Sequence, residues 1–170
     1  LTDAAREGYS FLGWYDNDNY TGDKVENIDR TNLISTTLYG KTDINSYSVT
    51  YELNGGSGTA PTQSDLEYNS EFTIKGCEGT KTGYIFAGWN DGTRTYNEND
   101  KYTLGAGNVV LKAQWNPIGY TIIFDVNTGS GSMDQLTMRY DESKKLTKCV
   151  LTKTGYTFDG WMTSASGSSA

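Results

Sequence analysis

The chain has 170 residues, with 14 lysines and arginines against 21 aspartates and glutamates, and a formal net charge of −7. This acidic balance, without a basic run of five or more residues, argues against nucleic acid and anionic membranes as partners. No segment approaches the roughly 18 consecutive apolar residues of a membrane-spanning helix, so no membrane insertion is predicted. Twenty glycines and two prolines, among many Thr, Ser, Asn and Tyr, are typical of short strands joined by turns.

A seven-residue motif, Gly-Tyr-x-Phe-x-Gly-Trp, organises the chain. It begins at Gly8, Gly83 and Gly155, so successive copies are 75 and 72 residues apart. Such even spacing predicts tandem modules of about 70 to 75 residues, each with a small core. The predicted divisions are the C-terminal part of a first repeat at 1–43, a complete repeat at 44–116 and the N-terminal part of a third repeat at 117–170.

Each copy of the motif is predicted to be a strand, because apolar and aromatic residues alternate along it. Tyr and Phe would share a face toward the core, and the positions between them would face solvent. The glycine before Trp favours a bulge that turns Trp inward, whereas an exposed Trp would instead be a platform for a ligand. The predicted structural motif, with the tryptophan that closes the complete repeat, is Gly8, Tyr9, Phe11, Gly13, Trp14, Gly83, Tyr84, Phe86, Gly88, Trp89, Trp115, Gly155, Tyr156, Phe158, Gly160 and Trp161.

In the first repeat the motif is followed by a polar loop from Tyr15 to Asp23. Alternating Asp and Asn there suggest oxygen ligands for calcium, but Tyr20 interrupts the series and a solvated turn is the simpler interpretation. Residues 23–32 are predicted to hold a short helical turn. The last strand is predicted at residues 35–41, centred on 37–39.

The complete repeat has two strands with clear alternation. Residues 47–53 place Tyr47, Val49, Tyr51 and Leu53 on one face, and residues 108–115 do the same for Val109, Leu111, Ala113 and Trp115. Between them we expect a turn at 54–56, a second strand at 66–74 interrupted at 68–70, and the motif strand. A polar connection follows at 90–100.

The third repeat restarts after a short junction at residues 116–119, so successive modules are expected to lie close together. Its first strand is predicted at 120–126, and Asn127-Thr128-Gly129 repeats the turn. Cys77 and Cys149 each precede a motif by six residues. Because equivalent sites in successive modules should lie too far apart for a disulfide, both are predicted to be free thiols.

The ordered blocks resemble a known family. Tyr47 to Gly56, Gly83 to Trp89 and Val109 to Trp115 together are similar to the internalin B-repeat, also called the Listeria–Bacteroides repeat. The resemblance implies an α+β, mostly β fold: tandem small β-grasp-like modules of about four strands plus a short helix each. It also implies secreted or wall-anchored bacterial surface proteins, often adhesins. It brings no catalytic residues.

No catalytic, cofactor or metal site is predicted from the residues. Histidine, the commonest general base, is absent from the sequence, and no phosphate-binding loop or Cys-x-x-Cys pair occurs. The chain is therefore interpreted as a non-catalytic spacer whose partners are neighbouring repeats of the same chain. The alternative is an adhesive module for a host protein or glycan, with ligand contacts at Tyr15, Tyr20, Tyr96 and Tyr102.

Overall fold

The computed structural model describes residues 1–28 and 37–163, and in this part of the chain all regular structure is β. The chain divides into two compact units, Leu1–Lys81 with Phe86–Trp115, and Thr82–Ile85 with Asn116–Ala170. In chain order the strands are β1 (Tyr9–Tyr15), β2 (Tyr39–Ile44), β3 (Ser46–Tyr47), β4 (Val49–Glu52), β5 (Leu66–Glu67), β6 (Glu71–Thr73), β7 (Tyr84–Asn90), β8 (Thr95–Tyr96), β9 (Lys101–Thr103), β10 (Val109–Pro117), β11 (Gly119–Ile122) and β12 (Leu136–Arg139).

The mostly β character is as expected, but the predicted short helix is absent from residues 45–116, which are all described. The α+β class and the β-grasp-like architecture, in which a helix packs on the sheet, are therefore not supported. The long connection between β4 and β5 contains Gly55, Gly56, Gly58 and Pro61, residues that disfavour a helix. The helical turn expected at 23–32 lies partly outside the described residues, and 23–28 form no helix.

The complete repeat is built on a four-stranded sheet in the order β4-β10-β7-β8. Strand β4 runs parallel to β10, with Val49 opposite Val109 and Tyr51 opposite Leu111. The inward positions follow the predicted alternation, because Val49, Tyr51 and Leu111 are buried while Thr50, Glu52 and Lys112 are exposed. The buried core of this repeat is Val49, Tyr51, Phe72, Ile74, Trp89, Leu104, Leu111 and Ala113.

Trp89 lies at the centre of this core and is 0% exposed. Its indole N–H donates to the carbonyl of Lys75 at 2.9 Å, and its ring meets that of Tyr51 edge-on at 4.8 Å. Gly88, immediately before it, adopts a φ of +122° that side-chain-bearing residues rarely take. This is the inward Trp expected from a glycine next to it.

The bulge itself is explicit in the first repeat. Strand β1 pairs with β2 in antiparallel fashion, but the register jumps from Phe11 opposite Thr42 to Gly13 opposite Lys41, leaving Leu12 unmatched. The last strand of the first repeat was expected at residues 35–41, of which 35 and 36 lie outside the described residues. Strand β2 starts later and ends later, at Tyr39–Ile44, since its ladder with β1 extends as far as Tyr9.

The second strand of the complete repeat is interrupted as predicted. Strands β5 and β6 are separated by a turn at 68–70, where Asn69 has a φ of +60°. Strand β5 pairs with β3, while β6 pairs with β9, so the two halves join different partners. In the third repeat, β11 likewise pairs with β12, and β11 is shorter than the predicted strand at 120–126.

The third copy of the motif departs from the prediction, because residues 156–161 form no strand. Tyr156 is 72% exposed and Phe158 49% exposed, so the expected core face is open. In the first two copies the motif strand lies beside a closing strand, β2 or β10. No described strand takes that place in the third, and an unpaired strand is not stable alone. Trp161 nevertheless contacts Phe124, with ring centroids 4.6 Å apart.

Candidate functional site

The clearest candidate site is the point where one repeat passes into the next. The linking residue Asn45 lies between β2 and β3, and its backbone is held on both sides. Its N–H donates to the carbonyl of Gly8 at 2.9 Å, and its own carbonyl accepts the N–H of Tyr68 at 2.8 Å. Asn45 thus connects the start of the first motif to the turn after β5.

A tyrosine ring completes this joint. The ring of Tyr68 lies over Gly8, where an added Cβ would stand 2.1 Å from the ring's Cγ. Tyr68 also meets Tyr9 edge-on, with centroids 6.2 Å apart and planes at 73°, and the Arg6 guanidinium lies 3.7 Å from the centre of the Tyr9 ring. Gly8 has a φ of +73°. Glycine is therefore required here both by backbone conformation and by the approach of the ring.

The same arrangement recurs at Ile118, the linking residue before the third repeat. Ile118 N–H donates to the carbonyl of Gly83 at 2.8 Å, and Tyr140 N–H donates to the carbonyl of Ile118 at 2.9 Å. The Tyr140 ring covers Gly83, where an added Cβ would again stand 2.1 Å from the ring's Cγ. Tyr140 also meets Tyr84 edge-on, with ring centroids 5.6 Å apart and planes at 70°. The φ of Gly83 is +79°. We call these two arrangements the first and second joint.

A tight turn positions the covering tyrosine in each joint. The residue after it has a left-handed backbone, Asn69 at φ +60° and Asp141 at φ +61°. Asn and Asp adopt this conformation at lower cost than other side-chain-bearing residues. The turns close through Ser70 N–H to the carbonyl of Glu67 at 3.1 Å and Glu142 N–H to the carbonyl of Arg139 at 3.0 Å.

The joints change the expected role of the motif tyrosines. Tyr9 and Tyr84 were expected to face the core beside Phe11 and Phe86. Phe86 does pack on the core, 5.2 Å from Trp89, but Tyr84 instead contacts Tyr140. Sequence reasoning missed the covering tyrosines altogether. The available signal was their recurrence, since Tyr68 and Tyr140 are 72 residues apart, as are the second and third copies of the motif.

The second joint carries extra polar contacts. The Tyr84 hydroxyl donates to Asp141 Oδ2 at 3.1 Å, and this hydrogen bond, with some burial and the Asp141 charge, raises the pKa of Tyr84. The Glu142 carboxylate pairs with Lys144 at 2.9 Å and accepts the Arg139 N–H at 2.7 Å, which together lower its pKa. All of these groups are solvent-accessible, so their contribution to stability is small.

Two of the four proposed ligand-contacting tyrosines share one carboxylate. The hydroxyls of Tyr96 and Tyr102 each donate to Asp91 Oδ2 at 3.3 Å. Partial burial would raise the pKa of Asp91, but the N–H groups of Arg94 and Thr93 and the hydroxyls of Thr93 and Tyr96 outweigh it and lower the pKa to about 2. Burial, followed by the Asp91 charge, raises the pKa of Tyr102 to about 12.

The other two proposed tyrosines form a separate pair beside the loop after β1. Tyr15 is buried, whereas Tyr20 is 39% exposed, and their rings meet edge-on at 5.7 Å. The Lys41 ammonium lies 5.8 Å from the Tyr15 ring and 5.9 Å from that of Tyr20. The structure thus arranges the four as two separate pairs, in each of which one tyrosine ring packs against the other.

The loop after Tyr15 is closed by side-chain hydrogen bonds. Asn17 Oδ1 accepts the Thr21 N–H at 2.9 Å, and Asn17 Nδ2 donates to the Thr21 carbonyl at 2.9 Å. Among the described residues there is no group of three or more His, Cys, Asp or Glu side chains placed to hold a metal ion. Nor does any part described here form an apolar helix long enough to cross a bilayer.

The two cysteines are free and occupy matching positions. Cys77 Sγ lies 3.8 Å from the carbonyl oxygen of Gly79, and Cys149 Sγ lies 4.0 Å from that of Leu151. Cys77 is half-buried and packs against the core of the complete repeat. Cys77 therefore acts as a small packing residue, and Cys149 makes the same carbonyl contact at the equivalent point of the third repeat.

The comparisons with known proteins agree with the repeated geometry. The chain is similar to an inferred membrane protein of Evansella cellulosilytica, with 34% identity over 170 residues, 96% of this chain and 24% of that protein. It is also similar to an inferred glycine-rich membrane protein of that organism, 36% identical over 74% of this chain and 14% of the relative. Internalin H of Listeria monocytogenes is 35% identical over 67% of this chain and 20% of its own length.

The chain thus spans at most 24% of the length of these relatives. No solved structure gives a significant match. The profile of the Listeria-Bacteroides repeat domain matches residues 1–41, 47–114 and 120–170. These three consecutive matches cover most of the sequence, and the chain therefore belongs to the Listeria-Bacteroides repeat family.

Proposed function

We propose that this chain is a non-catalytic segment of a tandem array that acts as a spacer in a bacterial cell-surface or secreted protein. Its partners are the neighbouring repeats of the same chain. The observation that carries this proposal is the recurrence of one joint, with the same two backbone hydrogen bonds and the same tyrosine over glycine, at Asn45 and at Ile118. A contact that recurs wherever one repeat follows another is what a regular tandem spacer requires.

The joint restricts motion between repeats more than an ordinary linker would. Glycine- and serine-rich linkers behave as flexible coils because nothing binds their backbone. Here the single linking residue donates one backbone hydrogen bond and accepts another, and an aromatic pair closes the contact. Each of these interactions contributes on the order of 1 kcal/mol. Together they hold the linking residue and the turn tyrosine against the motif glycine.

The relatives support a surface location. Two are named as inferred membrane proteins and one as an internalin, and each is several times longer than this chain. A segment that corresponds to a small part of a much longer surface protein is suited to holding other domains at a distance. The same proposal holds that the longer protein containing this chain is attached to the cell wall or secreted.

The adhesive alternative receives less support. Stacking on a sugar requires exposed aromatic faces. Tyr96 and Tyr102 bind Asp91 and contact each other at 5.0 Å, and Tyr15 is buried. Tyr20 is the most accessible of the four, and a single exposed ring makes a weak platform. We therefore favour packing as the role of these side chains.

Small-angle X-ray scattering of the chain tests the spacer proposal. The parent chain is expected to give one well-defined maximum dimension, and the Tyr68→Ala/Tyr140→Ala variant a broader distribution of distances. Tyr156→Ala, which removes an exposed ring, is the matched control and should scatter like the parent. If the parent already scatters as freely jointed repeats, the joints do not hold and the spacer proposal is wrong.

A glycan and host-protein array, run on the same samples, tests the alternative. A blank array with the parent chain is expected. A specific hit that is abolished by Tyr20→Ala and retained by Tyr156→Ala would favour an adhesive module instead.

A further inference from the structure

The third motif carries the same turn as the first two. Gly155 has a φ of +78°, against +73° at Gly8 and +79° at Gly83. Tyr156 N–H donates to the carbonyl of Lys153 at 3.0 Å, just as Tyr9 N–H donates to the carbonyl of Arg6 at 3.1 Å. The backbone of this turn is therefore formed in the third repeat although the residues after it are not a strand.

The basic residue of the turn is in place as well. The Lys153 ammonium lies 4.6 Å from the centre of the Tyr156 ring, in the position that the Arg6 guanidinium holds over Tyr9. A cation over an aromatic face restrains the ring. Both elements of the motif that a covering tyrosine would meet, the bare glycine and the oriented ring, are thus present before any such residue arrives.

What differs is the surface above the glycine. In the first and second joint an added Cβ would stand 2.1 Å from the covering ring, whereas at Gly155 no described atom lies within 4 Å of that position. The neighbouring ring of Tyr156 is 72% exposed. A flat glycine face beside an exposed aromatic ring is a preformed apolar surface, and preformed surfaces bind at a lower entropic cost.

We propose that Gly155 and Tyr156 form a docking surface for the turn tyrosine of a further Listeria-Bacteroides repeat. The partner is a tight turn of the kind seen at 68–70 and 140–142, with its tyrosine ring over Gly155 and edge-on to Tyr156. The linking residue of that repeat would donate its N–H to the Gly155 carbonyl. This inference rests on the proposed function, since it extends the same joint by one repeat.

The two occupied joints identify this partner by chemistry. A covering residue needs an aromatic ring to meet the motif tyrosine and a following Asn or Asp to take the left-handed turn, as Asn69 and Asp141 do. A second copy of this chain does not offer one, because its Tyr68 and Tyr140 already cover Gly8 and Gly83. The surface therefore selects a repeat whose own turn tyrosine is unengaged.

An extended chain tests the inference. A second copy of residues 90–163 replaces everything after Trp161, so that the third motif is followed by the same residues as the second. A new copy of Tyr140 then follows Gly155 at the interval that separates Tyr140 from Gly83. Hydroxyl-radical footprinting with mass spectrometry then measures the oxidation rate of Tyr156. The rate is expected to fall several-fold from its value in the parent chain, to the level of Tyr9 and Tyr84.

Two variants of the extended chain make the test specific. Replacing the added copy of Tyr140 by alanine should return the oxidation rate of Tyr156 to its parent value, and Gly155→Ala should do the same by obstructing the ring. The matched control is Gly92→Ala, which has a φ of +99° and open space around its Cβ, and should leave Tyr156 protected. A Tyr156 that stays as reactive in the extended chain as in the parent would overturn the inference.

The parent chain separates this failure from failure of the proposed function. If Tyr9 and Tyr84 are protected in the parent while Tyr156 stays reactive in the extended chain, the joints hold and only the docking surface is wrong. If Tyr9 and Tyr84 are as reactive as Tyr156 in the parent, the joints themselves do not form, and the spacer proposal fails with the inference.

Discussion

The ring of Tyr140 covers Gly83 so closely that a Cβ on the glycine would stand 2.1 Å from the ring's Cγ. Gly155 has almost the same φ, +78° against +79°, but open space in place of the ring. The pair therefore separates two costs of adding a methyl group. One is the left-handed backbone, which both glycines share, and the other is the displacement of a packed ring, which concerns Gly83 alone.

We predict that Gly83→Ala lowers the free energy needed to open the second joint by about 2 kcal/mol more than Gly155→Ala does. The reason is that forcing a methyl group into a packed contact costs roughly 1 to 3 kcal/mol. The measurement is the hydrogen exchange rate of the Ile118 N–H, which donates to the Gly83 carbonyl. It should rise about 30-fold relative to the Gly155→Ala control. Equal rates in the two variants would show that the ring does not close the joint.

The second prediction concerns acid stability and Asp91. Its pKa of about 2 in the folded chain is below the value of 3.8 for an unperturbed aspartate. Its hydrogen bonds therefore contribute stability that is fully present above pH 4 and is lost as the pH falls through 2. Asp91→Asn should lower the free energy of unfolding by about 1 to 2 kcal/mol at neutral pH, because the amide group cannot accept all the same hydrogen bonds. The variant should also lose less stability than the parent chain as the pH falls, because its amide does not titrate.

Urea unfolding followed by tryptophan fluorescence, at several pH values, measures this effect. Tyr96→Phe, which removes one of the hydroxyl donors to Asp91, serves as the milder control. Parallel acid curves for Asp91→Asn and the parent chain would contradict the assignment.

The third prediction concerns alkaline stability and Tyr102. Its pKa of about 12 in the folded chain is above the 10.0 of an unperturbed tyrosine. The hydroxyl therefore contributes stability that is fully present below pH 10 and is lost as the pH rises through 12. Tyr102→Phe should reduce this alkaline loss. Asp91→Asn should lower the pKa of Tyr102, since it removes a neighbouring negative charge.

Absorbance at the phenolate band, recorded as a pH titration, follows the ionisation of tyrosine. The difference between the parent and Tyr102→Phe isolates the Tyr102 curve. If that curve does not move in Asp91→Asn, the Asp91 charge is not what raises the pKa of this hydroxyl.

The fourth prediction compares the turns that follow the first strand of two repeats. Thr128 has a φ of +63°, a conformation that is unfavourable for a β-branched residue, whereas its equivalent Gly55 has a φ of +82°. Thr128→Gly should stabilise its turn by about 0.5 to 1 kcal/mol, since relief of strain exceeds the entropic cost of glycine. The exchange rate of the Gly129 N–H, bonded to the Val126 carbonyl, should fall about threefold.

The reciprocal change provides the control for this turn. Gly55→Thr should speed exchange of the Gly56 N–H, which donates to the Leu53 carbonyl at 3.0 Å. If both substitutions leave exchange unchanged, the positive φ is not a source of strain in either turn.

Sequence reasoning identified the features that depend on neighbours along the chain. The spacing of the motif indicated tandem repeats, and alternation placed Val49, Tyr51 and Leu111 in the core. Glycine next to tryptophan predicted the bulge and the inward Trp89. These features follow from the two-residue period of a strand and from the freedom of glycine, both of which are local properties.

The tertiary structure decided the contacts between distant parts of the chain. Tyr68 and Gly8 lie in different repeats. The turn tyrosines recur along the sequence, but their recurrence alone does not indicate that each one covers the glycine of the preceding motif. The same distinction explains the third motif, whose residues match the first two while Tyr156 and Phe158 remain exposed. A strand is stable only beside a partner that supplies its hydrogen bonds and covers its face, and that partner is a property of the fold rather than of the seven residues themselves.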